Sequence, residues 1–219
     1  MEIEINWNEL SDVHPVLAHL PTTMRQLAMR ACLDKDESIF RQGDQPDNMF
    51  YLLSGEVRLI RRSRAGTEII LQRTRSGFFA EASLEHGCYH CNAVATEPTE
   101  LLRFPAHAFR DAISKNVLFR NDWISHLTRE VRRLRTQCER LSLNSATERI
   151  IHYLESEGIS GSVVLKQTKK AWAAELGLSH EVLYRTLRRM QEQNLLKDED
   201  GQISLVVQSS TRARKARTA

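Results

Sequence analysis

A chain of 219 residues has room for one or two domains with a sizeable core, and 41% hydrophobic with 27% charged residues is the balance of a soluble globular protein. No run of about 18 apolar residues occurs, so no transmembrane helix is expected; the start, MEIEINWNEL, is acidic and has no apolar core, which excludes a secretory signal and makes a cytoplasmic location the default. The net charge of +3 is unevenly placed: residues 145–219 hold 12 Lys/Arg against 9 Asp/Glu, and residues 1–144 balance to zero. That excess suits a polyanionic partner at the C-terminal end.

In chain order, residues 1–35 show two short helical patterns separated by Pro21, one around Asn8–Leu20 and one from about Thr22 to Leu33. From Ser38 to Pro105 the texture changes to short β-type runs (SIF, MFYLLS, EVRLIRR, TEIILQR, GFFAEASL, NAVATE, TELLRF). Gly43, Gly55, Gly66, Gly77 and Gly87 set turns every 10–12 residues. This is the pattern of a small jelly-roll-like β-roll. A helix is expected from roughly Asn116 to Leu143. Its apolar positions Trp123, Leu127, Val131, Leu134, Cys138 and Leu141 are spaced 4, 4, 3, 4 and 3, flanked by charge. A narrow heptad-like stripe predicts pairing with a second copy of the same helix, with Leu127, Val131, Leu134, Cys138 and Leu141 at the interface; packing on the chain's own β-domain is the competing use of the stripe. Ser145-Ala-Thr-Glu148 forms a capping box ahead of Ile150, Ile151 and Leu154, so Asn144–Ser145 marks a boundary and a hinge.

The stretch Thr168–Leu196 reads as two helices joined by a tight turn. Trp172, Leu176, Leu178, Leu183, Leu187 and Met190 put apolar groups on facing sides, Ala173 permits close approach, Gly177 frees the turn and Ser179 caps the second helix. The polar side carries His180, Glu181, Tyr184, Arg185 and Arg188. Arg bonds guanine O6 and N7, and Glu accepts from the cytosine amino group, so this is a face for reading double-stranded DNA in the major groove. Thr168, Lys170 and Ser179 complete the DNA-facing set. An ordinary helical hairpin with a solvated face is the plainer alternative. Val163–Leu165, Leu195–Lys197 and Gln202–Val207 around Asp200-Gly201 predict a β-wing, and the tail TRARKARTA adds non-specific phosphate attraction.

Three blocks carry a resemblance. Phe40-Arg-Gln-Gly43-Asp44 with Tyr51-Leu-Leu-Ser-Gly55-Glu56-Val57, then Gly77-Phe-Phe-Ala-Glu81-Ala-Ser-Leu84, then Leu178-Ser-His-Glu-Val-Leu-Tyr-Arg185 occur in the order seen in the CRP/FNR family of bacterial transcription regulators, which the whole chain resembles. The resemblance implies an α+β protein: a cyclic-nucleotide-binding-like β-roll over 1–115, a dimerisation helix and hinge over 116–144, a winged helix-turn-helix over 145–208 and a basic tail over 209–219. It implies a homodimer on a palindromic operator with TGA-like half-sites, read by Glu181 and Arg185, and contact with RNA polymerase. It places an effector pocket at Phe79, Ala80, Glu81, His90 and Cys91, with Arg135 from the long helix. The cAMP-binding members carry Gly-Glu and, about ten residues on, Arg-Ser; Ala80-Glu81 and Cys88-Tyr-His90-Cys91 stand there instead, so cAMP is not implied and the effector is unknown. Cys88, Cys91 and Cys138 are redox candidates, against a structural role; Cys32 alone in the first 35 residues excludes the clustered cysteines of an iron–sulfur member, and no motif specifies a metal or cofactor. No nucleophile elbow, P-loop or zinc-hydrolase motif occurs, so no enzyme is expected. The alternative is a redox- or ligand-sensing module whose DNA domain is secondary.

Overall fold

The computed structural model describes residues 5–64, 66, 68–165, 167–199 and 201–206. The chain divides into two compact units, with the division between Glu130 and Val131. The expected tail over 209–219 and Asp200 of the wing turn lie outside the described residues.

The first unit opens with α1 (Trp7–Val13), capped by the Asn6 side chain, then a single 3-10 turn and α2 (Thr22–Gln26). The second helical pattern, expected to reach Leu33, is corrected here. α2 stops at Gln26, and Met29–Leu33 is strand β1, paired antiparallel with Thr99–Arg103. The spacing of Met24, Leu27, Ala28 and Ala31 imitates a helix. The free backbone edge of the neighbouring strand outweighs that local preference.

The remaining strands are β2 (Ser38–Phe40), β3 (Asn48–Ser54), β4 (Val57–Arg62), β5 (Glu68–Thr74), β6 (Gly77–Phe79), β7 (Asn92–Ala95) and β8 (Thr99–Pro105). They form two four-stranded antiparallel sheets, ordered β1-β8-β3-β6 and β2-β7-β4-β5. This is the expected roll. Gly55 makes its tightest turn: φ is +88°, and a Cβ there would lie 2.5 Å from Thr99 Oγ1 and 2.6 Å from the Pro98 carbonyl. Between the sheets lie Phe40, Phe50, Leu52, Leu59, Phe79, Tyr89, Cys91 and Leu101. A second cluster joins the outer face of β3, β6 and β8 to the helices. Here Phe78, Phe104, Phe109, Phe119 and Trp123 meet edge-on or tilted at 4.8–6.4 Å, as the ring quadrupoles prefer. Phe109 comes from α3 (Ala106–Lys115), Phe119 and Trp123 from the start of α4 (Val117–Ser142). Asn116 begins α4 by accepting the Phe119 N–H at 2.9 Å.

The second unit contains the end of α4, α5 (Ala146–Glu157), β9 (Ser162–Val164), α6 (Lys169–Glu175), α7 (His180–Glu192), β10 (Leu196–Glu199) and β11 (Gln202–Leu205). Ser145 and Glu148 make the full reciprocal capping box at the head of α5. The three strands form one sheet, β10-β11-β9, with β10 and β11 as the wing hairpin. The core is Ile150, Leu154, Trp172, Ala173, Leu176, Leu183, Leu187, Met190, Leu196 and Ile203.

Candidate nucleic-acid interface and sensor region

Four side chains of α7 are buried: Leu183, Thr186, Leu187 and Met190. They follow at 3, 1 and 3 residues, the one-sided stripe of an amphipathic helix. The opposite side leaves His180, Glu181, Tyr184, Arg185 and Arg188 exposed. Glu181 and Arg185 are four residues apart, so they stand one above the other on that face. Ser179 caps the helix by accepting the Val182 N–H at 3.2 Å. Thr168 does the same for α6 through the Ala171 N–H at 3.2 Å, with Lys170 exposed beside it. Arg188 is tied to Glu192 at 3.0 Å across one turn. The cap residues therefore serve the helices first, and their backbone N–H groups sit at the positive helix ends.

Tyr184 is not a loose side chain. Its ring lies 4.4 Å from that of His180, and the Lys169 ammonium stands 5.6 Å over it. Lys169 is held in turn by Asp198 of the wing at 2.5 Å. Lys169 was not among the residues singled out from the sequence. Its role depends on a wing residue 29 positions away, which no local pattern displays.

In the first unit, Ala80 follows β6 in the left-handed region, φ +72°, and is buried. A backbone that favours glycine is thus kept by alanine. Phe79 is wholly buried and stacked on Phe50 at 5.2 Å, so it belongs to the core. Glu81 is half-buried at the start of a short 3-10 turn, Glu81–Ser83. Ser83 Oγ and His90 Nδ1 are 3.1 Å apart. Burial, then the positive charge of Arg61, then that of His86 depress the pKa of His90, which favours neutral imidazole at pH 7. Cys91 is buried, and desolvation pushes its thiol up to about 11 against the pull of Arg61. That is an inert core thiol. Cys88 is exposed, as are Cys32 and Cys138. Arg61, just beyond the Ile60–Asn92 rung of the β4–β7 ladder, acts on both His90 and Cys91 and went unnoticed in the sequence. Arg135 lies exposed on α4 in the second unit.

The α4 stripe is split. Trp123 is buried and Leu127 packs beside it on the first unit's core. Ile124 (54%), Val131 (47%), Leu134 (46%) and Leu141 (42%) are exposed, and Cys138 with them. The uncovered row therefore has Ile124 where Leu127 was expected, because Leu127 is taken up by the first unit's core. Among the described residues no helix is long and apolar enough to cross a membrane.

Comparisons with known proteins bear on the whole arrangement. Residues 31–116 match the model of the cyclic nucleotide-binding domain. The cyclic AMP receptor protein of Thermus thermophilus is 29% identical over 171 residues, covering 77% of this chain and 79% of that one. The global nitrogen regulator of Nostoc sp. is 26% identical over 199 residues, covering 81% and 87%. Over most of its length the chain is similar to transcription regulators of the CRP/FNR type. A CooA variant from Carboxydothermus hydrogenoformans shares the fold, with a TM-score of 0.70 over 94% of this chain and 93% of that one at 16% identity. These relatives cover 77% and 81% of this chain, which favours a regulator over a sensing module with a secondary DNA domain.

Proposed function

We propose that this CRP/FNR-type regulator binds a palindromic operator as a homodimer, with α7 as the reading helix of each subunit. CRP-family regulators bind DNA and act as dimers. The observation that carries the reading is the clean division of α7 into a buried apolar stripe and an exposed face of His180, Glu181, Tyr184, Arg185 and Arg188. Glu181 and Arg185 face base edges in a TGA-like half-site, and Thr168, Lys170 and Ser179 meet phosphates through side chains and helix-end N–H groups. The exposed row Ile124, Val131, Leu134, Cys138 and Leu141 is the seam on which two copies of α4 pair. The domains follow the boundaries set out above, with 1–115 as sensor, 116–144 as dimerisation helix and 145–208 as DNA-binding domain.

The sensor region is bounded by Glu81, Ser83, His90 and Arg61. Its occupant is a small effector other than cAMP. His90 is held toward the neutral form and Ala80 carries a methyl where the cAMP-binding members have glycine. Arg185→Ala on a TGA-cored palindrome at fixed salt should lose about 1–3 kcal/mol of specific binding and keep its affinity for random DNA. Equal loss on both sequences would overturn the base-reading role.

A further inference from the structure

One guanidinium joins the end of α4 to the turn of the helix-turn-helix. Arg149, on the first turn of α5, donates from Nε to the Leu143 carbonyl at 2.9 Å and from Nη2 to the Leu141 carbonyl at 3.1 Å. Its Nη1 donates to the carbonyls of Leu176 and Gly177, each at 3.1 Å. The first two acceptors belong to the last turn and exit of α4, the other two to the exit of α6. Helix C-termini leave such carbonyls without intrahelical partners and carry the negative end of the helix dipole. A planar fork with five donors can satisfy two helix ends together, and no lysine can.

Two further features fasten the same joint. Gly177 has φ +64°, and a Cβ on it would stand 2.8 Å from Leu141 Cδ2, so the turn lies directly against α4. Arg140, 1% exposed near the end of α4, donates to Glu157 Oε1 at 2.6 Å and Ser156 Oγ at 3.1 Å, with its guanidinium 4.7 Å over the Tyr153 ring. α5 is bound to α7 as well, through Arg189 Nη2 and Thr147 Oγ1 at 2.8 Å.

We infer that Arg149 is the positioning residue of the DNA-binding apparatus. It locks the helix-turn-helix to the last turn of α4, so the two turn as one body and the chain does not flex at Asn144–Ser145. The link to operator binding rests on α7 being the reading helix; the lock itself does not.

The test measures the lock without DNA. The full chain, with Cys32, Cys88 and Cys138 changed to Ser, carries nitroxide labels at Arg132→Cys on α4 and Gln191→Cys on α7, and is mixed with excess unlabelled chain so that distances within one chain dominate. With Arg149 present, pulsed dipolar spectroscopy should return a single narrow distance distribution. Arg149→Ala should broaden or split it, and Arg149→Lys should fall between. A broad distribution with Arg149 present overturns the inference and needs no substitution at that site. So does a distribution that stays narrow in a folded Arg149→Ala chain, where a lower melting temperature alone would mark a purely stabilising role. A chain that binds no palindrome still answers this test, so failure of the operator reading is seen separately.

Discussion

Glu56 shows how much one buried charge can organise. Its carboxylate accepts from Arg73 at 2.9 Å, Arg75 at 2.7 Å, Arg58 at 3.2 Å and Thr96 at 3.0 Å. Burial alone would raise its pKa. Arg73, then Thr96, Arg75 and Arg58 outweigh that and hold it below the usual glutamate range. A depressed folded-state pKa means stability that is complete above the unfolded pKa and lost as pH falls through the folded one. Urea melts of the wild type should therefore weaken below pH about 4. Glu56→Gln should cost about 3 kcal/mol at pH 7, because it strands buried arginine charge, and should flatten that acid loss. Cys91 gives a second check at this scale. In the native protein a thiol reagent at pH 8 should reach Cys32 and Cys88 quickly, and Cys91 only on unfolding, since its thiol is buried and raised to about 11.

Among the elements, the roll was legible because alternating residues and regularly spaced glycines leave few other folds open. The two caps at Ser145 and Ser179 were legible for a similar reason, since a hydroxyl at the head of an apolar run has one productive use. Ser145→Ala should remove about 1 kcal/mol from the stability of the full chain in chemical denaturation, with a Ser145→Asp variant restoring most of it. β1 was not legible. Its residues satisfy a helical spacing, and the partner that decides the matter is a strand about 70 residues later. Arg149 was hidden more deeply. Its four acceptors are backbone carbonyls at separations of 6, 8, 27 and 28 residues, and carbonyls leave no signature in a side-chain pattern. Arg61 escaped notice because its neighbours arrive through strand register.

For the molecule as a whole, the sharpest expectation concerns α4. Charges at two adjacent exposed positions of the proposed seam would be forced into an apolar interface, so Val131→Glu with Leu134→Glu should raise the dimer dissociation constant about 100-fold (~2.7 kcal/mol) in analytical ultracentrifugation. Both residues are exposed within a single chain, so the folded monomer should keep its melting profile at concentrations where it does not associate. The two-sided build of α7 has another outcome. Leu183, Thr186, Leu187 and Met190 hold the helix in place, while Glu181, Tyr184 and Arg185 give almost nothing to the core. Exchanges on the outer face can accumulate without loss of foldability, one at a time. With α7 as the proposed reading helix, such a regulator can be retargeted to new promoters by drift through stable intermediates, and the same freedom makes its outer face the place to engineer new operator preferences.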